Sequence, residues 1–171
     1  MKECDLQTVL YQYKDQLYRF AFSIVKNEQD AQDVLQDVMV KMWTNRDHIA
    51  ITTGWKSYLM QAVRNKCLDY IKRHSRTNET SLTEELQFID ENDLSYQQDV
   101  EEELAFVEQI IEKLPERERS ILYLKEYEMM DYEQIAGITR LSVANIRTII
   151  SRTRKTIKQE LQAKTECAKS V

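Results

Sequence analysis

The stretch that decides the fold covers residues 130–158 and reads MDYEQIAGITRLSVANIRTIISRTRKTIK. Asp131 is a favourable N-cap, and Gln134 stands three residues later, where a long side chain folds back onto the cap. We expect a turn at residues 137–141, after which Ser142 caps a second helix without Gly or Pro. The stretch therefore predicts two helices joined by a tight turn.

The second of these helices has two different faces. Apolar side chains recur at helical spacing on one side, at Val143, Ile146, Ile150, Ile157 and Leu161, near which we expect the helix to end. The opposite side carries Ala144, Asn145, Thr148, Ser151, Arg152 and Lys155. Because small residues let a helix approach a groove and cations bind phosphates, this pattern predicts a DNA-binding helix-turn-helix. The alternative is a helical hairpin with a solvated charged face.

Length and composition narrow the remaining possibilities. With 171 residues, 2 Gly and 1 Pro, we expect one ordinary domain or two small ones, built from long helices. We expect neither a membrane span nor a secretion signal. Three widely separated cysteines indicate reduced thiols in the cytoplasm. The cysteines and the 2 histidines have no zinc-site spacing, so no metal or other cofactor is expected.

The net charge of −5 hides a segregation of charge along the chain. Residues 1–76 carry 12 basic and 9 acidic side chains, and residues 77–103 carry 10 acidic and no basic ones. Residues 104–171 carry 12 basic and 10 acidic side chains. We therefore predict two modules, at residues 1–76 and 104–162, joined by an acidic linker and followed by a tail at 163–171. This asymmetry indicates nucleic acid at both ends.

Three helices are predicted in the first module, at about residues 5–26, 30–45 and 54–74. The second is expected to bury Ala31, Val34, Leu35, Val38, Met42 and Trp43. Its other face carries Asp33, Gln36, Asp37, Val40 and Lys41. That face is either solvated or a docking surface for a basic partner helix, and the pattern alone does not decide between them.

The third helix combines cations with aromatic residues. Its cations are Lys56, Arg64, Lys66, Lys72, Arg73 and Arg76, and Trp55, Tyr58 and Tyr70 are interleaved with them. Cations follow a nucleic-acid backbone while aromatic faces stack on unpaired bases, so this composition suits single-stranded DNA. The alternative is a set of core aromatics beside a solubilising basic face.

The second module is expected to begin with a helix from Leu104 to Leu114. Pro115 then opens the next helix, with Glu116 and Glu118 in a first turn that favours acids. The acidic linker has no sustained periodicity, although a short helical segment fits its last residues.

Four segments, in this order, resemble the extracytoplasmic-function (ECF) sigma factors of bacterial RNA polymerase. They are DAQDVLQDVMVKMW (residues 30–43), WKSYLMQAVRNKCLDYIKR (55–73), LPERERSIL (114–122) and MDYEQIAGITRLSVANIRTIISRTRK (130–155). The resemblance implies an all-α protein with two helical domains, sigma region 2 and sigma region 4. It also implies no catalysis, and action with core RNA polymerase on promoter DNA.

The resemblance assigns roles to individual residues. The polymerase clamp helices would dock on Asp33, Gln36, Asp37 and Val40. The −10 element would be bound and melted by Trp55, Tyr58, Arg64, Asn65, Lys66, Lys72 and Arg73. The −35 element would be bound by Ser142, Ala144, Asn145, Arg147, Thr148, Ser151, Arg152 and Lys155. The polymerase flap would contact the face before the helix-turn-helix, and an anti-sigma factor is a further expected partner.

Three residues depart from the family pattern. Arg140 stands where the family often has Gly, Thr139 replaces a common apolar residue, and Ile149 replaces a commonly basic one. The leading hypothesis is an alternative sigma factor, and the second is a free-standing helix-turn-helix regulator. A hydrolase or nuclease is not supported, because the sequence has no cluster of His and acids, phosphate loop or metal spacing.

Overall fold

The structure is a computed structural model that describes residues 3–49, 54–74 and 96–168. Within them lie helices α1 (Glu3–Val25), α2 (Glu28–Thr44), α3 (Trp55–His74), α4 (Tyr96–Lys113), α5 (Glu116–Glu126), α6 (Tyr132–Thr139) and α7 (Val143–Ala168), and a short 3-10 helix (Arg46–His48). These described segments contain no strand, which agrees with the predicted all-α class. Most of the predicted acidic linker, at 77–95, lies outside the described residues.

Helices α2 and α4 begin earlier than predicted. Helix α2 starts at Glu28, because the side chain of Asn27 accepts a hydrogen bond from the backbone N–H of Asp30 at 3.0 Å and so provides the cap. Helix α4 starts at Tyr96 rather than at Leu104. Its first residues are rich in Gln and Glu, which have good helix propensity, and propagation of an existing helix adds one hydrogen bond per residue.

Helix α7 ends later than predicted, and Trp43 is exposed where a buried side chain was predicted. Helix α7 continues beyond Leu161 to Ala168, because neither Gly nor Pro interrupts it, so most of the predicted tail is helical. Trp43 was expected in the core but is 40 % exposed near the end of α2, with the guanidinium of Arg46 5.3 Å from the centre of its ring.

Helices α1, α2 and α3 form a three-helix bundle. Their facing stripes bury a continuous set of apolar side chains, among which Leu17, Phe20, Val34, Leu59, Met60 and Val63 are almost completely inaccessible. This core does not end at the predicted domain boundary. It continues through Ile121 and Leu124 of α5 and Ile135 and Ile138 of α6 to Ile146 and Ile150 of α7. Helix α5 packs on α1 and α6 packs on α3, so the two predicted modules are in direct contact.

Candidate nucleic-acid interface

Helix α6 begins with reciprocal capping. The carboxylate of Asp131 accepts a hydrogen bond from the backbone N–H of Gln134 at 2.7 Å, and the Gln134 side chain accepts one from the N–H of Asp131 at 3.0 Å. The helix continues through Thr139, so the turn predicted at 137–141 is shorter than expected. The Thr139 hydroxyl donates to the carbonyl of Ile135 at 2.7 Å, which satisfies a polar group at this buried position.

Arg140 makes the turn that follows. Its backbone is left-handed, with φ 59° and ψ 31°, and its N–H donates to the carbonyl of Ala136 at 2.8 Å. This conformation is costly for residues with a Cβ and is the one that Gly adopts freely. Arg140, which stands where the family often has Gly, therefore still makes the turn, but it does so in a strained backbone conformation.

Helix α7 presents the predicted DNA-binding face to solvent. The Ser142 hydroxyl accepts a hydrogen bond from the N–H of Asn145 at 3.2 Å, which confirms the predicted cap. Ile146 and Ile150 are buried on the opposite side and fix the rotation of the helix. The eight predicted residues are all exposed: Ser142, Ala144, Asn145, Arg147, Thr148, Ser151, Arg152 and Lys155.

Two cations of α7, Arg147 and Arg154, are held by contacts with neighbouring side chains. Arg154 donates to a single carboxylate oxygen of Glu126, from Nε at 3.1 Å and from Nη2 at 2.5 Å. The guanidinium of Arg147 lies 5.0 Å from the ring centre of Tyr132, the first residue of α6, which places it against the start of that helix. Ile149 is half-buried and packs against the core, so it lies off the exposed face.

The aromatic residues predicted on α3 have a mixed environment. Trp55 and Tyr58 are half-buried and pack against the core, as the structural alternative expects, and each residue stays partly accessible to solvent. Asn65 is exposed, as are Lys72 and Arg73 at the end of the helix. Tyr70, one turn after Lys66, donates a hydrogen bond to Asp30. Burial together with this bond raises the pKa of Tyr70 to about 12.

Acids engage two of the cations that were predicted to bind the −10 element, Arg64 and Lys66. Arg64 is only 9 % exposed and lies away from the other predicted residues, with Nη2 3.9 Å from a carboxylate oxygen of Glu116 in α5. Burial lowers the pKa of Arg64, but a guanidinium stays protonated at neutral pH. Lys66 is paired with Asp37 of α2 at 2.5 Å. The structure therefore does not bring all seven predicted −10 residues onto one surface.

The α2 face predicted to dock a partner is exposed. Asp33, Gln36 and Asp37 are accessible to solvent, and Val40 is 58 % exposed. Beside them lies a groove of about 450 Å³ between α1 and α2, lined by Lys14, Asp15 and Tyr18 of α1 and by Gln32, Leu35, Gln36, Met39 and Val40 of α2. Apolar residues flanked by charges suit an amphipathic helix. The α1 side of this groove was not predicted from the sequence, because its residues have the composition of an ordinary helix surface.

Other classes of site were also sought. Within the described ranges, no three His, Cys, Asp or Glu side chains come together as metal ligands would. Nor is any helix of that part of the chain long and apolar enough to cross a membrane.

Comparison with known families finds matches to both modules. The family described as Sigma-70 region 2 matches residues 10–77, and the family described as Sigma-70, region 4 matches residues 107–157. The RNA polymerase sigma factor SigV of Bacillus subtilis is 24 % identical over 91 % of this chain and 90 % of its own length. The ECF RNA polymerase sigma factor SigW of the same species is 25 % identical over 88 % of this chain and 85 % of its own length. The RNA polymerase sigma-H factor of Pseudomonas aeruginosa is 29 % identical over 92 % of this chain and 86 % of its own length.

Solved structures share the fold. The sigma factor RpoE of Bartonella quintana, crystallised with the anti-sigma factor NepR, superposes with a TM-score of 0.69 at 23 % identity, covering 94 % of this chain and 96 % of that one. CnrH, solved with the cytosolic domain of CnrY, gives a TM-score of 0.67 at 22 % identity, covering 95 % of this chain and 90 % of that one. Two modules in family order and relatives that match nearly end to end place the chain in the sigma-70 family of RNA polymerase sigma factors, as a member of the ECF type.

Proposed function

We propose that the protein is an alternative sigma factor that binds core RNA polymerase and directs it to a promoter, which it helps to melt. The observation that carries this proposal is the order of its two modules, matching sigma region 2 and then region 4, with the exposed α7 face in the second. Nothing favours the alternative of a free-standing regulator. The protein contributes binding and positioning, and the polymerase carries out the chemistry.

Helix α7 would bind the −35 element in the major groove. Its first turns are small and polar, at Ser142, Ala144 and Asn145, which allows close approach to base edges. Arg152 and Lys155 lie further along the same exposed face, where phosphate contacts would fix the orientation of the helix without selecting bases.

Helix α3 would act on the −10 element. Tyr58, which is partly accessible, can stack its ring on an unpaired base, and the amide of the exposed Asn65 can form hydrogen bonds with a base edge. Extruding a base costs on the order of a few kcal/mol, which these contacts would offset in part. Lys66, Lys72 and Arg73 would hold the backbone of the same strand.

The α2 face, with Asp33, Gln36, Asp37 and Val40, would receive the clamp helices of the polymerase. Its two carboxylates suit basic partner side chains, and the adjoining apolar groove would add buried area. The polymerase flap would contact the second module ahead of its helix-turn-helix. Because the RpoE and CnrH structures are complexes with an anti-sigma factor and with the cytosolic domain of CnrY, we also propose an anti-sigma partner in the cytoplasm.

Transcription in a purified system tests the proposal. Core polymerase with and without the protein is incubated with fragmented genomic DNA, and the transcripts formed are sequenced. New transcripts that start at shared sequence elements only in the presence of the protein are expected. The proposal fails if the protein shifts those promoters without core polymerase and adds no transcripts with it, which is the behaviour of a free-standing regulator.

A further inference from the structure

An aromatic ring at the start of α6 lies against cations from two neighbouring helices. The ring belongs to Tyr132, the first residue of α6, which is half-buried and packs against the core. The guanidinium of Arg147 in α7 lies 5.0 Å from the ring centre, and the ammonium of Lys125 in α5 lies 4.7 Å from it. Because both distances are measured to the same point, the two charges are less than 10 Å apart. Three helices therefore bring two cations to one place.

No acid neutralises these two cations. Across the part of the chain that the structure describes, neither Lys125 nor Arg147 forms an ion pair. Arg154, two turns after Arg147 on α7, differs because it is paired with Glu126 at 2.5 Å. A salt bridge has to break before its cation can bind a phosphate, whereas an aromatic ring orients a cation without neutralising it. Arg147 therefore keeps its charge available for an anion, and Arg154 does not.

Both cations are also held in position before any ligand binds. Lys125 is half-buried and donates a hydrogen bond to the carbonyl of Met130 at 3.1 Å, which leaves two of the three ammonium donors for a ligand. Arg147 is exposed, and the ring of Tyr132 orients its guanidinium. A long side chain that is already ordered loses less conformational freedom when it binds. The carbonyl and the ring therefore preorganise the pair.

The position of the pair suits the backbone of DNA rather than its bases. In a helix-turn-helix bound to DNA, the second helix enters the major groove while the first crosses the sugar–phosphate backbone. Arg147 belongs to the second of these helices, but its guanidinium lies against the first residue of the other. An arginine that enters the major groove most often binds guanine. Contact with Tyr132 instead directs Arg147 towards the backbone.

We infer that Tyr132 is a positioning residue for DNA binding, and that its ring holds Lys125 and Arg147 as a clamp for the phosphate backbone beside the −35 element. The clamp rests on the proposed function, since it requires α7 to lie in the major groove. Tyr132 also affects base specificity, because it keeps Arg147 from contacting a base. Neither Lys125 nor Tyr132 was among the residues predicted from the sequence to bind DNA.

The salt dependence of promoter binding by holoenzyme tests the clamp. The probe is a duplex promoter fragment obtained from the genomic transcription experiment, and its affinity is measured over a range of salt concentrations. Arg147→Ala and Lys125→Gln should each reduce the slope of log affinity against log salt by about 1, because a phosphate contact is lost. The matched control is Lys113→Gln, which changes an exposed lysine on α4 of the same module and should leave the slope unchanged.

Two substitutions of Tyr132 separate the positioning of cations from packing. Tyr132→Phe keeps the ring and should bind promoter DNA as tightly as the unmodified protein. Tyr132→Leu keeps apolar bulk against the core but removes the ring, so the affinity should fall about two- to fivefold. The released Arg147 should then select guanine at one position of a library randomised in the −35 element. Adding Arg147→Ala to Tyr132→Leu should abolish that selection.

The inference is overturned by an unchanged salt slope in either cation variant, or by an altered base preference in Arg147→Ala alone. It is also overturned if Tyr132→Phe loses as much affinity as Tyr132→Leu, or if Tyr132→Leu keeps the original base preference. Circular dichroism checks that Tyr132→Leu folds, and if it does not, the slope and base preference of Arg147→Ala decide. Unmodified holoenzyme that selects no promoter sequence would instead refute the proposed function, and the clamp with it.

Discussion

Asp131 and Gln134 each satisfy the backbone N–H of the other at the start of α6, at 2.7 and 3.0 Å. This pair sets the first residue of the helix-turn-helix and therefore the position from which α7 is presented. It is wholly local, which is why it can be recognised in the sequence and perturbed with little effect elsewhere.

Asp131→Ala should lower the free energy of unfolding by about 1 kcal/mol, because one N–H at the helix start loses its acceptor. Urea denaturation followed by circular dichroism measures the change. The control is Glu133→Ala, which removes an exposed acid in the same turn. It should lower the free energy of unfolding by less, since only an interaction with the helix dipole is lost. Equal losses would mean that charge rather than capping stabilises this end.

Arg140→Gly should raise the free energy of unfolding by about 0.5–1 kcal/mol. The left-handed backbone at φ 59° strains a residue with a Cβ, and the greater freedom of Gly in the unfolded chain offsets only part of the relief. Arg140→Ala separates backbone from charge, because it keeps the Cβ and should be near neutral. Stabilisation by Ala as large as by Gly would assign the effect to the lost charge.

Arg152→Ala and Asn145→Ala should affect DNA binding in different ways. Loss of a phosphate contact at Arg152 weakens binding to all promoters similarly and reduces the salt slope by about 1, whereas loss of Asn145 alters the preferred bases. Promoter selection with holoenzyme, sequenced before and after, measures both. Arg154→Ala is the control, because Arg154 is held by Glu126. A reshaped base preference in Arg152→Ala would refute the assignment.

Tyr58→Leu should reduce transcription from duplex promoters and leave it nearly normal on templates already melted at the −10 element. Leu retains apolar bulk against the core, on which Tyr58 packs, but cannot stack on a base. The two templates are compared in the same transcription assay. Equal reductions on both would indicate that Tyr58 is a core residue only.

Stability should fall with rising pH above about 9. Burial, with a further contribution from Glu116, raises the pKa of the Cys67 thiol from 9.0 to about 12. The folded state then holds this proton more tightly than the unfolded state, so its contribution is complete below pH 9 and is lost as the pH approaches 12.

Urea denaturation between pH 8 and pH 11 measures this decline. Cys67→Ala, although less stable at neutral pH because it leaves a cavity, should show a shallower decline over this range. Identical slopes would instead attribute the pH dependence to Tyr70 and Tyr123, whose pKa values burial also raises to about 12.

Local signals predicted most of the fold. The caps at Asp131 and Ser142 and the helix start after Pro115 are fixed within a few residues, and the structure agrees with each. The buried and exposed faces of α7 follow from periodicity alone. The prediction that Trp43 is buried was wrong, because an apolar residue in the last turn of a helix fits the same periodic pattern whether or not a neighbouring element covers it.

Long-range relationships could not be obtained in this way. Arg119 donates to a carbonyl 96 residues earlier, and Arg64 meets an acid in a different module. No periodicity relates such positions. The sequence does contain one indication that Arg119 is unusual. It lies one turn before the apolar Leu122, on a helix face that is otherwise buried. A charge there indicates a partner without revealing which one.

The ion pair between Lys66 and Asp37 connects two surfaces with different proposed ligands. A basic helix of the polymerase that draws Asp37 away releases Lys66 for a phosphate, which makes the two binding equilibria thermodynamically linked. Linkage is reciprocal, so DNA held by Lys66 must increase the affinity for polymerase by the same factor. An exposed pair contributes a coupling of at most about 1 kcal/mol, equivalent to a roughly fivefold cooperativity between promoter and enzyme.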